Sequence, residues 1–170
     1  VVSSLREVVG EVVSMLGNAA DRLAAAGLAT QRSSIVCWDR RSGAALSPVL
    51  SWQDTRAGGW IGNFHDLEPR IHQITGLVLS PHYGVSKLIW CLENLPAVRA
   101  AQDCGNLIFG PLAAYLAQQL TGSRIAQADP ANASRTLLWD RTKCDWSDEL
   151  LDWFGVSRDC LPVTVPSRHT

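Results

Sequence analysis

In ATQRSSIVCWDRRSGAALSPVLSWQD, residues Ala29 to Asp54, an amide, a guanidinium and two hydroxyls follow one another at Gln31, Arg32, Ser33 and Ser34. An indole and a carboxylate then close the stretch at Trp52 and Asp54. An arginine offers several N–H donors to vicinal hydroxyl oxygens, and a serine one rotatable hydroxyl. An indole covers apolar C–H surface. Together these groups suit a small polar ligand with one apolar face, and a sugar or polyol is such a ligand.

Other chemistries find less support. His65, His72, His82 and His169 have no metal-ligand spacing with the cysteines. There is no Gly-x-Ser-x-Gly elbow, no G-x-x-x-x-G-K-[ST] and no G-x-G-x-x-G. Fifteen basic and sixteen acidic residues are scattered without a run of one sign, which disfavours nucleic acid and anionic membrane surfaces as partners. No stretch approaches the roughly 20 apolar residues of a membrane span, and Glu7 and Glu11 interrupt the opening VVSSLREVVGEVV against a signal peptide. Five cysteines without a C-x-x-C pair read as reduced, mostly buried thiols in a cytoplasmic protein. The 170 residues, 46% hydrophobic, suffice for one domain with a core. Seven tryptophans fall singly; most are expected in the core, with one or two left for a site.

The elements that must position the polar groups follow from periodicity. Ser4 to Glu7 fits a capping box, and Leu5, Val8, Val9, Val12, Val13 and Leu16 predict a helix with one buried stripe. Arg22 to Thr30, small and apolar on both faces, reads as a strand inside a covered sheet. Ile35–Trp38 and Ala45–Trp52 flank Asp-Arg-Arg-Ser-Gly as a hairpin. Helices are expected around EPRIHQIT, over YGVSKLIWCLEN, from Pro111 to Leu120, and over DELLDWF between Ser147 and Gly155. ASRTLLWD is expected as a strand. The two Trp-Asp-Arg tripeptides at 38–40 and 139–141 read as similar strand exits.

GLATQRSSIVCWDRRSG, SWQDTRA, GLVLSPHYGVSKLIWCLENLP and NASRTLLWDRTKCDWSDELLDWFGVSRDCLP occur in one order along nearly the whole chain. In that order they resemble the amino-terminal domain of the FGGY carbohydrate kinases, above all the glycerol kinase and xylulokinase branches. The resemblance implies an α/β fold, a partial ribonuclease H-like (actin/hexokinase-type) domain with helical segments, spanning residues 1–170 as the sugar-binding part. It places the Asp-Gly-Thr hairpin that approaches ATP before the chain. The catalytic base and the second, nucleotide-binding domain fall beyond it. ATP and magnesium are then cofactors of the full-length parent, whose reaction is phosphorylation of a hydroxyl on a small sugar or polyol. The fragment alone is expected to be inactive and to self-associate as a homo-oligomer. The alternative is a non-catalytic remnant or binding module that keeps the fold.

Residue by residue, the resemblance implies substrate contacts at Arg32, Ser33, Trp52, Asp54 and His82. Ser33 stands where glycerol kinases have glutamate, and His82 where they have tyrosine, which together argue for a substrate other than glycerol. Asp54 either accepts from a sugar hydroxyl or orients Arg32, the second role being favoured. Lys87 matches a family lysine and is expected to be solvated on a helix surface. Asn132, Ser134 and Arg135 are expected to be structural.

Overall fold

The computed structural model describes residues 1–168, so His169 lies outside the described residues. In chain order the elements are α1 (Val2–Leu16), β1 (Ile35–Asp39), α2 (Gly58–Ile61), α3 (Glu68–Thr75), α4 (Gly84–Asn94), α5 (Pro96–Asp103) and β2 (Leu107–Pro111). There follow α6 (Leu112–Thr121), β3 (Gln127–Ala128), α7 (Pro130–Ala133), β4 (Trp139–Asp140), β5 (Asp145–Trp146), α8 (Asp148–Phe154) and β6 (Val163–Thr164). Short 3-10 turns fill several of the joints.

The centre is the antiparallel pair β1 and β2, in which Ile35 faces Pro111 and Asp39 faces Leu107. Ile35 to Trp38 and all of β2 are buried, as expected of strands covered on both faces. The chain after β1 returns along it and pairs only at the bridges Ile35–Leu50 and Trp38–Ala45. The expected hairpin is therefore present as a turn, with Gly43 at φ 71°, while its second arm is mostly irregular. Ser47 and Pro48 explain this in part. The Ser47 hydroxyl accepts from the Cys37 N–H at 2.9 Å and donates to the Pro48 carbonyl at 2.9 Å, a local alternative to a ladder.

Helix α4 lays Gly84, Val85, Leu88 and Cys91 into the core. A Cβ on Gly84 would stand 3.2 Å from Ile35, from Phe109 and from the Thr136 backbone, so a side chain there would push these neighbours back by a few tenths of an ångström. Trp38, Trp139 and Trp146 are buried, and Trp52 is the large exposed aromatic, 42% accessible. That division matches the expectation for the tryptophans. The two Trp-Asp-Arg tripeptides do end strands alike. The Asp39 carboxylate accepts from the Arg41 and Ser42 N–H groups, and Asp140 accepts from those of Thr142 and Lys143.

Three expectations are corrected. Arg22 to Thr30 is not a strand, because no described segment offers it a ladder, and a lone extended segment leaves its backbone to water. ASRTLLWD is mostly 3-10 turn, with Leu137 at φ 67°, and only Trp139 and Asp140 pair as strand. Helix α1 starts at Val2 with no side-chain cap, and none of its residues is buried. The helices expected around EPRIHQIT, over YGVSKLIWCLEN and before Gly155 are all present, with the Ser147 hydroxyl accepting from Leu150 N–H.

Candidate functional site

Gln31 to Ser34 forms a tight turn, with the Ser34 N–H donating to the Gln31 carbonyl at 3.3 Å. Within it only Ser33 has positive φ, 67°, the pattern of a type II turn, whose third position ordinarily takes glycine. The turn throws Arg32 outward at its tip while Ser33 stays buried. Ser34 then anchors it. Its hydroxyl accepts from the Trp52 N–H at 3.1 Å, and its carbonyl accepts from the Leu112 N–H at 2.9 Å.

These contacts bring Gln31, Arg32, Ser33 and Trp52 together with Arg135 around an open cleft of about 250 Å³. A guanidinium fork, a hydroxyl, an amide and an exposed indole thus share one small space, and of the five contacts read from the sequence Arg32, Ser33 and Trp52 line it while Asp54 and His82 do not. Arg135, expected to be structural, is the added member. Its guanidinium lies over the Tyr83 ring, 4.9 Å from the centroid, a cation–π contact that leaves its N–H groups available. One signal in the sequence marks it: no acidic residue stands within four positions to answer its charge. Asn132 does act structurally, donating to the Asp129 carboxylate at 2.6 Å.

Asp54 is turned elsewhere. Its carboxylate accepts from Arg56 Nε at 2.8 and 2.9 Å and pairs with the other end of the same guanidinium at 2.7 Å. Burial alone would raise its pKa, but the Arg56 side-chain and backbone donors outweigh that and hold it below the usual carboxylate range. Asp54 therefore does not orient Arg32. Its partner Arg56 is itself stacked on Trp90, 4.2 Å from the ring centroid.

His82 stands one step behind the cleft, its Nδ1 3.2 Å from the Trp52 carbonyl. Lys87 departs furthest from expectation: it has no exposed surface, and its ammonium donates to the His82 carbonyl. Burial lowers its pKa to about 8, with Asp54 pulling the other way. Position 87 lies three after buried Gly84 and four before buried Cys91, so helical spacing alone puts it on the inner stripe.

A larger groove of about 430 Å³ is lined by His65, Glu68, Pro69, His72 and Val78. Its carboxylate is occupied by the Leu79 N–H at 3.0 Å. Among the described residues no group of three or more His, Cys, Asp or Glu side chains is placed to hold a metal ion. No described helix is long and apolar enough to cross a membrane.

Residues 1–170 match the profile of the FGGY family of carbohydrate kinases, N-terminal domain. A glycerol kinase of Methylobacterium nodulans is 40% identical over 148 residues, which are 86% of this chain and 30% of that protein. One of Leptothrix cholodnii is 37% identical over 161 residues, 94% of this chain and 32% of the relative. The chain thus spans about a third of the length of these relatives. Among solved structures, glycerol kinase of Plasmodium falciparum with ADP superposes with a TM-score of 0.75 at 28% identity, over 81% of this chain and 28% of the other. A xylulose kinase of Brucella ovis superposes at 0.80 and 23% identity, over 96% of this chain and 33% of the other, a likeness of fold. The expected partial ribonuclease H-like domain is the fold these superpositions show.

Proposed function

As this chain belongs to the FGGY family of carbohydrate kinases, we propose that it supplies the sugar-facing wall of an ATP-dependent kinase acting on a hydroxyl of a small sugar or polyol. The observation that carries this reading is the convergence of Arg32, Ser33 and Trp52 on one cleft. Arg32 and Ser33 address hydroxyl oxygens, and the exposed Trp52 indole covers the C–H face and strips water from it. The cleft residues Arg32, Ser33 and Arg135 include no carboxylate acceptor, and Asp54 is committed to Arg56. That donor-rich character favours a substrate that presents acceptor oxygens, and, with the glutamate that the resemblance implies for glycerol kinases replaced by Ser33, it supports a ligand other than glycerol.

In this reading ATP and magnesium are the cofactors of the full-length kinase, and the role assigned to Arg32, Ser33 and Trp52 is to bind and orient the sugar.

The test is a turnover assay of the protein encoded around this segment, over a panel of polyols and ketoses, beside the 170-residue chain alone. Sugar-dependent ATP consumption is expected of the former and none of the latter, which spans about a third of the length of the related kinases. A parent protein inert toward every polyol and ketose, though folded and able to bind ATP, would overturn the reading.

A further inference from the structure

Lysine is almost never fully buried without a partner, yet Lys87 has no exposed surface. Its one hydrogen-bond acceptor among the described residues is the His82 carbonyl. The Asp54 carboxylate attracts it but is clamped by Arg56. An apolar side chain at such a site generally costs folding less than a sparsely bonded ammonium, so stability gives no reason for the lysine.

The reason lies in the loop above α4. The Ser86 hydroxyl lies 2.7 Å from the Pro81 carbonyl and 2.9 Å from the Tyr83 carbonyl, and Lys87 takes the His82 carbonyl between them. Two adjacent side chains of the first turn of α4 thus face three successive backbone oxygens, the single Ser86 proton being shared between the first and the third. Above them the His82 ring meets the Trp52 carbonyl at 3.2 Å, and the Trp52 N–H meets Ser34 at 3.1 Å. Through the covalent frame of His82, these bonds link the buried ammonium to the backbone of Trp52, whose indole lines the cleft, and on to Ser34 in the turn that carries Arg32.

We propose that Lys87 is a positioning residue of the sugar cleft: its ammonium pins the His82 carbonyl, which sets the His82 ring on the Trp52 carbonyl and so fixes the indole wall. Lys87 touches no ligand. Its influence passes through His82 and Trp52. The consequence for binding rests on the polyol reading above, whereas the positioning itself does not.

The chain has only two lysines, Lys87 and Lys143, and four histidines, so side-chain NMR signals can be assigned individually. Backbone amides of Tyr83 and Gln53 report hydrogen bonding at the carbonyls that precede them, those of His82 and Trp52. Lys87→Met is expected to move both amides and abolish the nuclear Overhauser contact between the His82 ring and Trp52, and Lys87→Arg to keep that contact. Should the Met variant fail to fold, the wild-type chain serves: the Tyr83 and Gln53 amides are expected to shift with the same midpoint as the Lys87 side chain, near pH 8. A Gln53 amide and a His82–Trp52 contact unmoved by loss of the ammonium, by substitution or by titration, would overturn the proposal. A binding arm uses glycerol and xylitol as probes. About tenfold weaker binding in Lys87→Met, restored in Lys87→Arg, supports the proposal, and unchanged affinity overturns it. If neither probe binds the wild type while the amides behave as stated, the positioning stands and the polyol reading falls.

Discussion

Ser33 holds a conformation that side chains of L-residues avoid, φ 67° in the middle of a tight turn, and such strain costs of order 1–3 kcal/mol. The turn keeps it because the same geometry presents Arg32 at the tip and buries the Ser33 hydroxyl at the cleft edge. Ser33→Gly relieves the strain but loosens the unfolded chain, so a net gain of roughly 0.5–1 kcal/mol is expected, with weaker ligand binding. Urea unfolding reads the first effect; a lower midpoint for Ser33→Gly would show that the turn is not strained. Arg32 has the opposite profile, exposed and outside the core. In the proposed kinase, Arg32→Ala is expected to lower kcat/KM by a factor equivalent to roughly 1.5–3 kcal/mol with unchanged thermal unfolding, as for loss of a charged hydrogen bond. Normal kinetics with reduced stability would assign Arg32 to the turn alone.

At the scale of elements, α4 joins core and cleft, and its buried ammonium makes that joint sensitive to pH. Burial lowers Lys87 from 10.5 to about 8, against the pull of Asp54. Between those values the unfolded chain keeps a proton that the folded chain has released. The contribution of this site to stability therefore rises with pH across the window, by roughly 3 kcal/mol at most. The buried Cys160 thiol acts in the other direction: burial pushes it up to about 12, so its contribution to stability falls as pH passes the ordinary thiol range. The difference between wild type and Lys87→Met isolates the lysine. Wild type is expected to gain on the variant as pH rises through the window, and a flat difference curve would show that the ammonium is solvated. This helix also shows what the sequence can reveal. Its limits were legible from period and flanks, as were those of α3 and α8 with their Gly76 and Gly155 stops. The place of Lys87 on the buried face was legible from its spacing to Gly84 and Cys91, but residue type pointed to water. The candidate site was legible where polar groups crowd one turn, at Arg32 and Ser33. It was hidden where a partner chosen by the fold decides, as when Asp54 takes Arg56 in place of Arg32. Strands were hidden for the same reason: Arg22 to Thr30 has a strand composition but no described ladder.

For the molecule as a whole, that segment and α1 set the behaviour of the isolated chain. The β1–β2 centre is covered by α4, α5 and α6, while Val8, Val9, Val12, Val13 and Leu16 of α1 remain exposed along with Leu23 and Leu28. Alpha1 is tied down chiefly where Arg6 donates to the Gln119 carbonyl of α6. Its apolar stripe is thus a continuous exposed patch, larger in kind than the scattered apolar residues of a stable monomer surface. The Arg22 to Thr30 segment has no ladder among the described residues, and unpaired backbone groups recruit other strands. Produced alone, the 170-residue chain is expected to cover this patch with a second copy. Light scattering on a sample of verified intact mass should then report a dimer or larger species. Val9→Lys with Val13→Lys should return it toward the monomer without altering the buried core around Ile35 and Trp38, because charges on the stripe lose their hydration on association. A monodisperse monomer of the unaltered chain, at its full mass, would mean that α1 folds back onto its own apolar surface in solution, and the prediction would fail.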